Sequence, residues 1–264
     1  MSGRKRLLAI DVGNTNTVFG LFEGTQLRGH WRLATRRDQT EDEYGILVRS
    51  LFDAAGIPQG SVEAAAVASV VPPLTPIAQG LCRKYLGCEP LVVGPGVRTG
   101  ISVQYDPPTD VGADRIVNAA AAFAAHGGPV IVVDFGTATT FDVITQRGEY
   151  VGGVICPGVG ISADALFQRA ARLPRVEIRN PGRVIGHSTV CSMQAGLYFG
   201  YAAMVEGLLA RISAELNEPA RVVGTGGLCE VLAPAIPAIQ IVDPALTLTG
   251  LRLIWERNRV ETPE

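Results

Sequence analysis

IDVGNTNTVFGLF (residues 10–22) and VDFGTATTFDVIT (residues 133–145) read like copies of one another, each an apolar run, then Asp-x-Gly, then a second β-rich run. In each, a strand ends in a carboxylate, turns through Gly13 or Gly136, and leads through hydroxyl residues into another strand. Glycine lets backbone approach an anion closely and turns its N–H groups outward, Thr and Asn donate further hydrogen bonds, and Asp can hold a hydrated divalent cation. Either copy alone reads as an ordinary hairpin turn. Together, as two Asp-x-Gly-x-x-x-Thr motifs with similar flanks, they point to phosphate binding. Asp11 and Asp134 lie 123 positions apart in a chain of 264 residues, which suggests two related halves facing one nucleotide.

The composition fits that reading. The length suits one large or two smaller domains with a real core. With 47% apolar residues, 18% charged residues and a net charge of −2, the chain has the character of a soluble enzyme and carries no basic run that would mark a nucleic-acid binder. The opening MSGRKR is basic, yet the stretch after it is a short strand interrupted by Asp11 and Asn14, neither signal peptide nor membrane span, so a cytoplasmic location is expected. Cys82, Cys88, Cys156, Cys191 and Cys229 form no C-x-x-C pair and are odd in number, which predicts reduced, mostly buried thiols.

Periodicity predicts βββαβαβ for the first half: strands at 6–12, 17–22 and 26–33, a helix from the capping box Thr40-x-x-Glu43 to about Ala55, a strand at 64–71, a helix at 74–86 stopped by Gly87, and a strand at 90–93. After the linker 105–110 and an Ala-rich helix at 114–125, the theme repeats with strands at 130–135, 139–145 and 149–155, helical segments, strands at 221–223 and 238–242, and a last helix at 246–258. A long helix at 190–216 carries Ala195, Gly196, Gly200, Ala202, Ala203 and Gly207, which suits close helix packing inside the domain or against another subunit.

Three further segments bear on chemistry. Val222-Val-Gly-Thr-Gly-Gly-Leu228 is a glycine turn between strand and helix, read alone as a plain tight turn, where an adenine or ribose could also lie on bare backbone. Gly158-Val-Gly160 imitates a dinucleotide fingerprint, but it follows an antiparallel ladder and Pro157, so it is expected to be a glycine-rich loop beside the nucleotide. Tyr105-Asp-Pro-Pro-Thr-Asp-Val-Gly-Ala-Asp-Arg115 is a shaped loop that sets Asp114 and Arg115 at a helix start. There Asp114 either complements the helix dipole beside a solvated arginine, or the pair serves as a base for a hydroxyl and a clamp for an anionic acceptor.

Asp11-Val-Gly-Asn-Thr-Asn16, Gly112-Ala-Asp-Arg115, Asp134-Phe-Gly-Thr-Ala-Thr-Thr140, Gly186-His-Ser-Thr189 and Gly224-Thr-Gly-Gly227, in this order, resemble type III pantothenate kinase from about Leu8 to Trp255. Asp-x-Gly-x-x-x is shared with the wider acetate kinase, sugar kinase, heat-shock chaperone and actin superfamily, whereas Gly-Ala-Asp-Arg after Tyr-x-Pro-Pro is much narrower. The resemblance implies an α/β fold of duplicated ribonuclease H-like, actin-like ATPase domains with mixed βββαβαβ sheets flanked by helices, divided at 1–112 and 113–264. It also implies ATP-dependent phosphorylation of the 4′-hydroxyl of pantothenate, the first step towards coenzyme A, with magnesium, with potassium or ammonium, and as a homodimer.

Carried over by position, the resemblance assigns Asp11, Val12, Gly13, Asn14, Thr15, Asn16, Thr17 and Val18 to the first phosphate turn, with Asp11 towards magnesium, and Thr137 to ATP. Tyr105, Gly112, Ala113, Asp114, Arg115 and Thr189 would hold pantothenate, with Asp114 accepting the hydroxyl proton and Asp134 ligating the monovalent cation. An Asp of ordinary acidity suffices when proton transfer is late in a loose phosphoryl transfer. Many relatives carry Asn where this chain has His187, which stays unassigned. Two other readings remain: a superfamily kinase for another hydroxyl or carboxylate acceptor, and a catalytically silent relative acting as a regulator.

Overall fold

A computed structural model describes residues 6–259. The basic opening, apart from Arg6, and the last five residues of the expected second domain lie outside them. The chain forms two compact units: Met1–Gly100 with Tyr105–Ala121 and Thr247–Glu264, and Ile101–Gln104 with Ala122–Leu246. Grouped this way, the chain differs from a single cut at 112/113, because the helix after that cut, as far as Ala121, and the final helix group with the first unit and pack on one another. Thr247 donates to Asn118 at 2.7 Å, and Gly250 lies against Val117 too closely for a Cβ.

The first unit is built on β1 (Arg6–Val12), β2 (Asn16–Glu23), β3 (Gln26–Ala34), β4 (Val62–Ser69) and β5 (Leu91–Val92), in sheet order 3-2-1-4-5. β1 pairs antiparallel with β2 and parallel with β4. Its run Leu7-Leu8-Ala9-Ile10 is buried throughout, as a central strand covered on both faces requires. β3 alternates exposed and part-buried positions, as its polar–apolar sequence does. The strand expected at 64–71 ends at Ser69, because β4 runs out of ladder partner where β1 ends: Val12 pairs with Ser69.

α1 (Glu41–Ala54) opens with the expected capping box, the Thr40 hydroxyl accepting from the Glu43 N–H and the Glu43 carboxylate accepting from the Thr40 N–H. The helix expected at 74–86 is composite. A 3-10 turn over Pro72–Leu74 leads into α2 (Thr75–Leu81) and a π turn over Cys82–Leu86, closed by left-handed Gly87. Tyr44, Val48 and Phe52 of α1 pack with Leu74, Ala78 and Leu81 over β1.

The second unit repeats the plan. β7 (Val130–Phe135), β8 (Ala138–Ile144) and β9 (Glu149–Pro157) form an antiparallel meander, and β10 (Arg221–Thr225) and β11 (Ile241–Val242) extend it in parallel from β7. The order 9-8-7-10-11 matches 3-2-1-4-5 of the first unit. A short β6 (Ser102–Val103) adds itself to β9. Two-residue strands carry almost no periodic signal, so β6 was not legible and the strand expected at 238–242 shrinks to β11.

Gly158 is not part of a loop. It caps α4 (Val159–Arg169), with Gly160 inside that helix, which corrects the expected glycine-rich loop. α3 (Ala113–His126), α5 (Thr189–Leu216), α6 (Cys229–Leu232) and α7 (Leu246–Asn258) complete the chain. All five cysteines are free, though only Cys82 and Cys229 are buried, fewer than expected; burial pushes both thiols up, Cys229 to about 12.

Gly45 on α1 faces the ring of Tyr85, and a Cβ built there would lie 2.5 Å from three ring carbons. Alanine gains up to about 1 kcal/mol in helix propensity. Overpacking costs about 1–3 kcal/mol and outweighs that gain. Gly45→Ala is therefore expected to lower stability in chemical denaturation; a variant more stable than wild type would show that the α1 to Tyr85 contact is loose.

Candidate functional site

The first Asp-x-Gly turn is a three-residue loop between β1 and β2. The Gly13 N–H donates to the Asn16 carbonyl at 3.0 Å, and a Cβ at Gly13 would stand 3.0 Å from the same oxygen, so the turn is tight enough to favour glycine. Asn14 and Thr15 are exposed at the tip, with Asp11, Asn16 and Val18 partly exposed beside it. Thr35, just after β3, holds the loop from below: its N–H donates to the Thr15 carbonyl at 2.9 Å and its hydroxyl to the Gly13 carbonyl at 2.7 Å. Thr17 does not offer its hydroxyl to this surface. It is 1% exposed and bonds Thr35 at 3.0 Å and Tyr44 at 3.1 Å, so the contact expected of it is left to its main chain.

The same end of this sheet receives the start of α3. The Val70 N–H donates to the Val12 carbonyl at 3.1 Å, tying the chain after β4 to the residue between Asp11 and Gly13. A Cβ on Gly112 would lie 3.3 Å from Val70 and 2.6 Å from the Asp114 carboxylate, so the bare glycine lets that carboxylate fold back over the chain. Asp114 accepts from the Arg115 N–H at 2.7 Å. Burial raises its carboxyl above the ordinary 3.8, outweighing this bond and the Arg115 charge, so the ordinary acidity expected of it is not what the fold supplies. Arg115 is 9% exposed, which rules out the solvated-arginine alternative. Asp11, Gly13, Val70, Gly112 and Asp114 thus gather at the carboxyl ends of β1 and β4, where open α/β sheets place ligands. Ala113 and exposed Tyr105 belong to the same unit.

The second turn is one residue shorter. Gly136 donates to the Ala138 carbonyl at 3.0 Å, leaving Gly136 and Thr137 exposed. The parallel register sets Thr225 beside Asp134, and Gly226, at φ +92°, rests so close that a Cβ would collide with the Asp134 carboxylate. Gly158 donates to the Thr137 carbonyl at 3.1 Å and leaves no room there for a Cβ. Thr189 is the first residue of α5, whose N-cap is Ser188; Gly186 sits flush on the backbone of Cys191 and Ser192.

Among the described residues no three His, Cys, Asp or Glu side chains gather to hold a metal. A divalent cation would therefore draw its remaining oxygens from water and phosphate. Thr35, Tyr44 and Gly226 as a support for Asp134 escaped the sequence reading. Thr35 and Tyr44 are distant in sequence from the turn they hold, and only the glycine of the Gly224-Thr-Gly-Gly227 run hinted at close backbone approach.

The raised Asp114 carboxyl fixes a sign. The folded chain binds this proton more tightly than the unfolded one, so stability falls as pH rises from the ordinary 3.8 through the raised value, and ionised Asp114 costs stability above it. Asp114→Asn is expected to match or exceed the wild-type melting temperature at pH 7, with the difference closing near pH 4. A variant that melts lower at pH 7, by an amount independent of pH, would contradict this.

The type III pantothenate kinase family model matches residues 7–211. A type III pantothenate kinase of Moorella thermoacetica is 53% identical over 252 residues, 96% of this chain and 99% of that one. One of Myxococcus xanthus is 56% identical over 252 residues, 96% and 98% of the two chains. The crystal structure of an inorganic polyphosphate/ATP-glucomannokinase from Arthrobacter sp. strain KM, 16% identical, covers 96% of this chain and all of its own with a TM-score of 0.52, which shows the shared fold of duplicated α/β units. The motifs, the repeated sheets and these likenesses agree: the chain belongs to the type III pantothenate kinase family.

Proposed function

We propose that this enzyme transfers the γ-phosphoryl group of ATP to the 4′-hydroxyl of pantothenate. The observation that carries the reading, within the family match, is the partly buried carboxylate of Asp114 folded over Gly112 at the sheet end that bears the Asp11–Gly13 turn. The main chain of Asn14 and Asn16, exposed and partly exposed, offers N–H groups to the nucleotide phosphates, and Thr137 offers a hydroxyl in the second turn. Asp114 accepts the proton as the acceptor oxygen bonds to phosphorus and the bond to the ADP oxygen breaks. Its burial makes it a better proton acceptor than a solvated aspartate, because the desolvated carboxylate gains more from being neutralised. Arg115, Tyr105, Gly112, Ala113 and Thr189 are read as holding pantothenate, whose carboxylate suits a guanidinium.

Hard oxygen donors fit the two cations. Asp11 would hold magnesium, which supplies charge neutralisation on the phosphates. Asp134 would hold potassium or ammonium, with Gly226 closing on its carboxylate where any side chain would intrude. Residues 1–112 and 113–264 are read as two descendants of one nucleotide-binding half. A homodimer is supported by α5, where Gly196, Gly200 and Ala203 form an exposed stripe. Cβ atoms at the two glycines would meet nothing within 4 Å, so these residues are not packed inside their own unit. Val151 and Ile155 of β9 and Ile161, Leu166 and Phe167 of α4 add exposed apolar area in the same unit. No described helix is long and apolar enough to cross a membrane. The ATP-dependent reading implies the cytoplasm, without nucleic-acid partners.

A coupled assay with ATP, magnesium and either pantothenate or a panel of sugars and carboxylic acids tests the reading. Turnover with another acceptor and none with pantothenate would replace it. Asp114→Asn is expected to lower turnover by about 10² to 10⁴, the scale of lost general-base catalysis; wild-type turnover would remove Asp114 from the mechanism. Replacing sodium by potassium at constant ionic strength is expected to raise the rate, and Asp134→Ala to abolish the difference. Equal rates in both salts for the wild type would sink the cation role of Asp134.

A further inference from the structure

We propose that Thr35, backed by Thr17 and Tyr44, is a positioning residue that sets the direction of the N–H groups in the first phosphate turn. The hydroxyl chain is directional. The single proton of Thr35 goes to the Gly13 carbonyl at 2.7 Å, so the 3.0 Å bond between Thr17 and Thr35 must be donated by Thr17. With that proton used, the 3.1 Å bond between Tyr44 and Thr17 must be donated by Tyr44. The order is therefore Tyr44 to Thr17 to Thr35 to the Gly13 carbonyl. Each bond polarises the next, in surroundings where Tyr44 and Thr17 are shut off from water.

This chain acts on the turn through peptide geometry. The Gly13–Asn14 bond is trans, so its carbonyl and N–H point in opposite directions. Drawing the Gly13 carbonyl down to Thr35 turns the Asn14 N–H away from it. The Thr35 N–H does the same one step on: by holding the Thr15 carbonyl at 2.9 Å it turns the Asn16 N–H the opposite way. One residue thus orients the Gly13–Asn14 and Thr15–Asn16 peptide planes, which flank the Asn14–Thr15 peptide at the exposed tip of the turn, and so aims the Asn14 and Asn16 N–H groups.

The second unit supplies an internal comparison. Gly158 stands in its sheet where Thr35 stands in the first, immediately after the third strand and donating to the turn carbonyl of Thr137. It has no hydroxyl. Thr139 opposes Phe135 as Thr17 opposes Val12, is 0% exposed, and its hydroxyl has no hydrogen-bond partner among the described residues. The duplicated scaffold therefore keeps the buried threonine in both turns and completes the hydroxyl chain only in the first.

This inference rests on the kinase reading but is tested apart from it. The affinity of the full chain for ATP with magnesium is measured by calorimetry, which needs no acceptor, alongside KM for each substrate and melting temperature. Thr35→Val is expected to weaken ATP binding and raise KM for ATP about tenfold, the scale of one well-made hydrogen bond, with KM for pantothenate unchanged. Thr35→Ser is expected to restore both to within about threefold, and Tyr44→Phe to shift them in the same direction by less. Unchanged ATP affinity in a folded Thr35→Val variant would overturn the proposal. If that variant fails to fold, wild-type ATP affinity in Tyr44→Phe together with weakened affinity in Thr35→Ser would overturn it equally. A wild type that binds ATP but does not phosphorylate pantothenate would count against the proposed function and leave the calorimetric comparison standing.

Discussion

A strand buried on both faces can carry a carboxylate only where it is given partners, as Asp142 within β8 is by the Tyr150 hydroxyl at 2.7 Å, or where the strand leaves the sheet, and the two Asp-x-Gly turns follow from the second case. β1 and β7 share one burial pattern: four apolar residues sealed from water, then a partly exposed aspartate, then one more buried residue before the turn. Within the sheet an unpaired carboxylate would cost several kcal/mol, an order-of-magnitude figure for burying a charge. At the strand end it faces the turn, where glycine closes the chain and main-chain N–H groups become available. Parallel β4 and β10 deliver their carboxyl ends to the same edges, bringing Val70 to Val12 in the first unit and Gly226 to Asp134 in the second. Each Asp-x-Gly turn is thus the by-product of a central strand.

The two units show what duplication preserves and what it releases. Strand order, register type and the glycine bond that closes the turn are common to both. The supports have diverged. In the first unit a tyrosine on the core helix acts through two threonine hydroxyls on the turn itself. In the second, the Tyr201 hydroxyl bonds the Pro157 carbonyl at 3.0 Å and Ser162 at 2.5 Å, fixing the end of β9, while bare Gly158 brings main chain onto main chain. An Asp-x-Gly turn held by hydroxyls and one held by close backbone approach are two solutions to the same positional problem.

Asp114 illustrates how a carboxylate at a helix start gains proton affinity. Its carboxylate accepts N–H bonds, which favour the charged form, yet the surrounding protein removes more hydration than those bonds return. A solvated aspartate in the first turn of a helix would have relaxed into a cap. Here it folds back over Gly112, which lies against Val70 at the sheet end, and the residual energetic penalty becomes proton affinity.

The sequence by itself determined the periodic elements, the two Asp-x-Gly turns, the capping box of α1 and the kinship carried by Gly112-Ala-Asp-Arg115, because these are local patterns of burial, hydrogen bonding and backbone freedom. It also placed Asp11 and Asp114 as candidates. It had no means of showing that Thr17 turns its hydroxyl inward, that Gly158 caps a helix, or that Thr35 and Tyr44 stand behind the first turn. Those contacts join residues 18, 22 and 27 positions apart through the meander and α1. The acidity of Asp114 was decided at the same level. Burial is a property of everything packed around a group, and only the assembled unit, with the chain after β4 tied to Val12 and Gly112 bare beneath the carboxylate, creates it.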